Sequence, residues 1–245
     1  MDCIAHRGSA NRVPENSMAG IHYTASHHIK QIECDISVAS DGVAVIFHDE
    51  YLRRMTGDPR SVLSLTSTEL TQIPLISHHM RPTQYIPLAD TWMREAANHD
   101  LFLHLEIKVH DQEVERVVEA TLEAFDRSEL MPSQVRVSSF SLDAIQLIRE
   151  RRPELELELG VAAVRLTDVS LDTLQSFDVV SVHLDIDYLD SQSIELAIDR
   201  GFKVCVYTVN SAQQLDSLPL ELIDSVFTDD PLLLNEELKT LKISK

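Results

Sequence analysis

Leu101-Phe102-Leu103-His104-Leu105-Glu106-Ile107-Lys108 runs directly into a segment from Gln112 to Phe125. The first stretch alternates, with Leu103, Leu105 and Ile107 on one face and His104, Glu106 and Lys108 on the other. That period of two is a strand. In the second, Val114, Val117, Val118, Leu122 and Phe125 recur at helical spacing. Together they make one strand–helix unit, and the chain repeats it.

Strands are expected at Cys3–His6, Gln31–Ile36, Leu101–Lys108, Gln134–Ser138, Glu156–Val161, Val179–Asp185, Lys203–Val209 and Ser225–Thr228. Helices are expected over Ser17–His28, near Leu88–Asn98 and over Gln112–Phe125, with further starts at Ser141, Ser170, Ser191 and Ser211. Eight strands alternating with helices in 245 residues predict an α/β fold, the (β/α)8 TIM barrel. A doubly wound open sheet is the competing fold, weakened by the lack of a glycine-rich first turn. One domain is expected over 1–245. An insertion at about 37–87, after the second strand, breaks the rhythm with the short strand Val43–Phe47 and a polar, proline-bearing stretch. It reads as a cap over the barrel mouth without a core of its own.

Composition narrows the function. Forty acidic against 21 basic residues give a net charge of -19, which disfavours nucleic acid and anionic lipid surfaces as partners. No apolar run approaches the ~20 residues of a membrane helix, and the first residues lack signal-peptide order. Neither a membrane anchor nor secretion is expected. Cys3, Cys34 and Cys205 sit in strand-like runs without a C-x-x-C pair, as buried thiols of a reducing cytoplasm do.

Alternation also sorts the polar residues. Glu33 and Asp35 are two apart and share a face. With the apolar face packed on helices, the polar face points into the barrel. Glu33, Asp35 and Glu106 then form a carboxylate cluster that suits a hard cation, Mg²⁺ or Ca²⁺. A buried salt-bridge network with Arg7 and Lys108 is the plainer reading. Zinc is disfavoured because the first strand ends His6-Arg7-Gly8 and not H-x-H. Lys108 admits a Schiff-base role, but beside Arg7 it better neutralises a phosphate. His6 and His48 stand at strand ends, whereas His104 and His183 read as core fillers. His27, His28, His78, His79, His99 and His110 have no evident partner in the sequence.

These residues resemble the glycerophosphodiester phosphodiesterase family. His6-Arg7-Gly8 with Pro14-Glu15-Asn16-Ser17 is similar to its H-R-G…P-E-N-[ST] signature, and Glu33-Cys34-Asp35 to its E-x-D. Asp41-Gly42 through His48-Asp49 is similar to D-G-x-x-V-x-x-H-D, and Leu105-Glu106-Ile107-Lys108 to L-E-I-K. Ser138-Ser139-Phe140 and Thr228-Asp229-Asp230-Pro231 continue the series. Tyr207-Thr208-Val209-Asn210 departs from it, with tyrosine in place of the family's usual tryptophan.

The resemblance implies a divalent cation held by Glu33, Asp35 and Glu106, and His6 and His48 as general acid and base. It implies phosphate held by Arg7 and Lys108, glycerol against Tyr207, and Glu15 orienting Arg7. The expected reaction is hydrolysis of small-molecule glycerophosphodiesters to an alcohol and sn-glycerol 3-phosphate through a cyclic phosphate. Two other readings stay open: a lysophospholipase D-type lipid phosphodiesterase, and a non-catalytic phosphodiester-binding barrel. Headgroup and oligomeric state, including a homo-oligomer, are left open.

Overall fold

The computed structural model describes residues 1–76, 82–161 and 171–243. The expectations for His78, His79 and the helix start at Ser170 fall outside them, as does part of the insertion.

Chain order runs β1 (Asp2–Ala5), α1 (Met18–Ser26), β2 (Gln31–Val38), β3 (Ala44–Ile46), α2 (Arg53–Thr56), α3 (Ser67–Leu70), α4 (Ala89–Asn98) and β4 (Phe102–Ile107). It continues α5 (Val114–Ser128), β5 (Val135–Ser139), α6 (Leu142–Arg151), β6 (Glu156–Val161), α7 (Leu171–Ser176) and β7 (Val179–Asp185). It ends α8 (Ser191–Asp199), β8 (Lys203–Tyr207), β9 (Ser225–Thr228) and α9 (Pro231–Ile243). Every strand except β3 is parallel to its neighbours, and β1 pairs with both β9 and β2. That last pairing closes the sheet into the (β/α)8 barrel and excludes the open-sheet alternative.

Period-two patterning explains the two-layered core. Ile32, Cys34 and Ile36 of β2 and Leu103, Leu105 and Ile107 of β4 pack outward with α4 and α5 side chains such as Trp92, Met93, Val117 and Phe125. The intervening positions point inward, where Ile4, Cys205 and Phe227 form a separate apolar cluster. All three cysteines are free and buried. No described helix is long and apolar enough to cross a membrane.

Three expectations need correction. The insertion does hold a small core of its own, with Val45, Phe47, Leu52, Val62, Leu70 and Ile86 buried together apart from the barrel's layers. Its residues are widely spaced, so no local period announced it. Asp190, not Ser191, caps α8, accepting from the Ser193 amide at 2.8 Å. The first strand stops at Ala5, and His6 opens a tight turn in which Arg7, Gly8 and Ser9 have φ of 48°, 76° and 71°. At Gly8 this conformation coincides with close packing, since a Cβ would meet the Gly20 Cα at 3.0 Å.

Candidate active site

The C-terminal ends of the strands gather the site, as barrel topology requires. β2 supplies Glu33 and Asp35, which the register sets opposite His104 and Glu106 of β4. One donor oxygen from each of Glu33, Asp35 and Glu106 lies within 4.8 Å of the others. Lys108 reaches into the cluster, with Nζ 3.1 Å from Asp35 and paired with Glu106. Arg7 approaches Asp35 at 3.4 Å and Glu15 at 3.2 Å. The strained turn at Arg7 turns its backbone amide onto Glu33 Oε2 at 2.7 Å.

The sequence missed Asn16. Its side chain donates to Asp35 Oδ2 at 2.8 Å and its Oδ1 accepts from the Asp35 amide at 3.2 Å. The P-E-N-[ST] stretch was the available signal.

Electrostatics divides the carboxylates. Burial and the neighbouring Asp35 charge push Glu33 up to about 8. Asp35 is equally buried, but Lys108 and Arg7 outweigh that and hold it well below the ordinary range. Lys108 is raised against its own burial by Asp35 and Glu106. Glu33 Oε1 is buried without a hydrogen-bond partner among the described residues, whereas Asp35 Oδ1 has the Lys108 ammonium at 3.1 Å. Buried carboxylate oxygens without donors are costly unless a cation takes that place. An all-oxygen donor set with such an orphaned atom at Glu33 fits a hard divalent ion. The salt-bridge reading is half right, because Lys108 and Arg7 do pair with these acids yet leave Glu33 Oε1 unsatisfied.

Each candidate histidine carries an aspartate on Nδ1. His6 Nδ1 is 2.7 Å from Asp229 Oδ1, and His48 Nδ1 is 2.6 Å from Asp49 Oδ1. A carboxylate on Nδ1 holds the ring and sets the tautomer, so Nε2 becomes the nitrogen that exchanges protons. The two rings differ. Burial opposes charge on His6, but Asp229 and Glu33 overcome it and raise its pKa. At His48 burial and the positive charges of Lys108 and Arg7 prevail, and its pKa is lowered.

Asp229 is held in turn by Asn210, whose side-chain amide donates to Oδ2 at 2.8 Å. Asp49 is held by Arg54, which also forks onto Glu15 at 2.7 and 2.8 Å. The insertion therefore delivers His48, Asp49 and Arg54 to the mouth together. Glu15 is accordingly bound by Arg54 as well as by Arg7. Asp49, Arg54, Asn210 and Asp229 had no assigned role from the sequence, although Asp49, Asn210 and Asp229 lie in the motifs quoted above.

An aromatic wall completes the mouth. Tyr207 meets Phe140 edge to face at 5.7 Å between ring centres, and Lys108 Nζ lies 5.6 Å from the Phe140 centroid. Phe140 rests over Gly160, where a Cβ would come within 2.7 Å of the ring. His104 and His183 do not join the mouth. They bind Glu158 deeper in the barrel, at 2.8 and 3.2 Å.

The chain is similar to several proteins of known name. A 114-residue stretch, 45% of this chain, is 32% identical to human glycerophosphodiester phosphodiesterase 1 and spans 34% of that protein. The chain thus spans about a third of the length of the mammalian relatives it matches. A glycerophosphodiester phosphodiesterase from Bacillus altitudinis is 24% identical over 247 residues, covering 96% of this chain and 98% of its own. The structure of a phosphodiesterase from Oleispira antarctica in complex with the product sn-glycerol-3-phosphate superimposes with a TM-score of 0.83. That structure is 25% identical and covers 98% of this chain and 97% of its own. Residues 6–233 match the family as a whole, from His6 at the first turn to the helix after Asp229, and so the chain belongs to the glycerophosphoryl diester phosphodiesterase family.

Proposed function

We propose that this protein hydrolyses glycerophosphodiesters to an alcohol and sn-glycerol 3-phosphate. The observation that carries the reading is the convergence of two His–Asp pairs on a carboxylate cluster with an orphaned Glu33 oxygen, flanked by Arg7 and Lys108. Glu33, Asp35 and Glu106 would hold one divalent cation, Mg²⁺ or Ca²⁺. When bound it supplies positive charge to offset that of the phosphoryl oxygens.

The chain's own residues do the rest. Arg7 and Lys108 bind the phosphate and Tyr207 faces the glycerol, while Glu15 orients Arg7. One histidine takes the proton from the glycerol 2-hydroxyl as its oxygen attacks phosphorus. The bond from phosphorus to the alcohol breaks, and the other histidine protonates the departing oxygen. A five-membered cyclic phosphate remains. Water then opens it with the two roles exchanged, which returns both histidines to their starting states. Intramolecular attack gains from proximity because no second molecule has to be ordered. Rings displaced to opposite sides of the ordinary imidazole value suit a pair that starts as one acid and one base.

The test is a panel of glycerophosphodiesters and lysophospholipids, assayed with and without added Mg²⁺, Ca²⁺ or chelator and scored by glycerol phosphate release. Metal-dependent release from the water-soluble diesters supports the proposal. Turnover of lysophospholipids alone would move the function to the lipid reading. Binding without turnover on any metal would leave a phosphodiester-binding barrel. A 2-deoxy substrate that turns over normally would remove the cyclic intermediate.

A further inference from the structure

Two helices on the barrel's outer ring bring together a second group of metal-ligating side chains, far in type from the carboxylates of the mouth. His22 lies on α1, and Glu95 and His99 lie one helical turn apart at the end of α4. Both imidazoles aim Nε2 at the same carboxylate oxygen, Glu95 Oε1, at 3.7 Å from His22 and 3.4 Å from His99. The two rings stand edge to face, with centres 5.2 Å apart.

The distances are open enough to admit an ion. A hydrogen bond between ring nitrogen and carboxylate closes to about 2.7–3.2 Å, and both contacts are longer. Donors around one tetrahedral ion at about 2.0–2.2 Å stand about 3.3–3.6 Å from one another. The His99 contact falls inside that range, the His22 contact at 3.7 Å lies just beyond it, and the three donor atoms all fall within 4.8 Å of one another. Imidazole with carboxylate favours zinc and its neighbours over Mg²⁺ or Ca²⁺. The group is partly exposed, so an ion enters from solvent and water can fill the fourth position. The buried cluster of Glu158, His183 and Cys205 makes an instructive contrast. There the carboxylate is already engaged by His104 at 2.8 Å and Ser181 at 2.5 Å, which leaves little for a metal.

We propose that His22, Glu95 and His99 form a zinc-type transition-metal site that staples α1 to α4. These helices already touch beside the mouth, where Trp92 Nε1 of α4 donates to the Ser17 carbonyl at the start of α1 at 3.3 Å. A bound ion would tie them at a second point and raise stability by mass action.

Zinc titration of the full chain in excess Mg²⁺, read by calorimetry and by the imidazole resonances, tests this. Transition metals also compete for carboxylates, so the count of sites is compared between variants. Wild-type protein should bind one more Zn²⁺ than the His22→Asn/His99→Asn protein, with the resonances of both histidines shifted. Each single variant, and Glu95→Gln, should weaken that ion about ten-fold or more, and zinc should raise the melting temperature of wild type but not of the double variant. Phosphodiesterase turnover in Mg²⁺ should be unchanged, since none of the three belongs to the mouth. An equal count in wild type and the double variant overturns the proposal. So does loss of the extra ion in His27→Asn/His28→Asn with His22 and His99 intact. Circular dichroism establishes that each variant is folded before it is scored.

Discussion

His6 and Asp229 are 223 positions apart in the chain and 2.7 Å apart in the fold. One follows the first strand and the other the last, and the β1–β9 pairing brings them together. In the proposed reaction Asp229 would act through His6. His6→Ala should lower kcat by about 10²–10⁴-fold with the fold intact, as loss of a general acid or base does. Asp229→Asn should cost less, about 10–100-fold, the worth of a hydrogen bond to a charged group at about 1.5–3 kcal/mol. Steady-state kinetics on both variants checks this, with a shifted pH profile in Asp229→Asn as the mark of a positioning role. A wild-type profile and rate in Asp229→Asn would remove the role.

The carboxylate cluster should answer to metal as a unit. Glu33→Gln, Asp35→Asn and Glu106→Gln should each abolish the gain in melting temperature on adding Mg²⁺ or Ca²⁺, and should lower activity with it. Differential scanning calorimetry separates this from simple misfolding at Glu33, whose carboxyl burial and Asp35 push up to about 8, so that metal-free Glu33→Gln should melt at or above metal-free wild type. Asp35→Asn and Glu106→Gln should melt lower without metal, because Lys108, and with Asp35 also Arg7, loses a charged partner. An undiminished metal response in all three variants would place the cation elsewhere.

Gly160 keeps the aromatic wall in place. A methyl group there would meet the Phe140 ring at 2.7 Å, and the half-exposed ring is free to swing away. Gly160→Ala should therefore leave stability nearly unchanged while separating Phe140 from Lys108 and Tyr207. The loss of a contact worth about 1 kcal/mol predicts about a five-fold rise in KM with little change in kcat. A fall in kcat with KM unchanged would count against Phe140 as a binding wall.

Glu158 ties the barrel interior together. Its carboxylate meets His104, His183, Ser181 and, at 3.5 Å, Arg136, with Cys205 nearby. Burial opposes its charge, but the two histidines outweigh that and hold its pKa well below the ordinary value. His183 is likewise opposed by burial and raised to about 10 by Glu158. The signs follow from linkage. The histidine's contribution is full below its unfolded value of about 6.5 and fades as pH climbs toward about 10. That of Glu158 is full above about 4.5 and fades at lower pH through its depressed folded value. Urea melts of wild type should lose stability across the alkaline window, and Glu158→Gln should flatten that loss. Glu158→Ala, which strips a buried pair of one partner, should cost about 3–5 kcal/mol near neutrality. A pH dependence identical in wild type and Glu158→Gln would mean that the pair is not the source.

Local patterning made much of this protein legible before any contact was known. Alternation in Glu33-Cys34-Asp35 and in Leu103 through Lys108 determined which side chains enter the barrel, and repetition of strand and helix determined the fold class. These are properties of a few neighbouring residues, so sequence carries them. The partners were another matter. Asp229 on His6, Arg54 across Asp49 and Glu15, Asn16 on Asp35, and Glu158 between two histidines join segments that share no periodicity. The small core of the insertion and the meeting of His22 with Glu95 and His99 are of the same kind. Only closure of β1 onto β2 and β9, with the helices packed around it, sets those distances, because the separation of two remote residues is fixed by how whole elements pack and not by the chain between them.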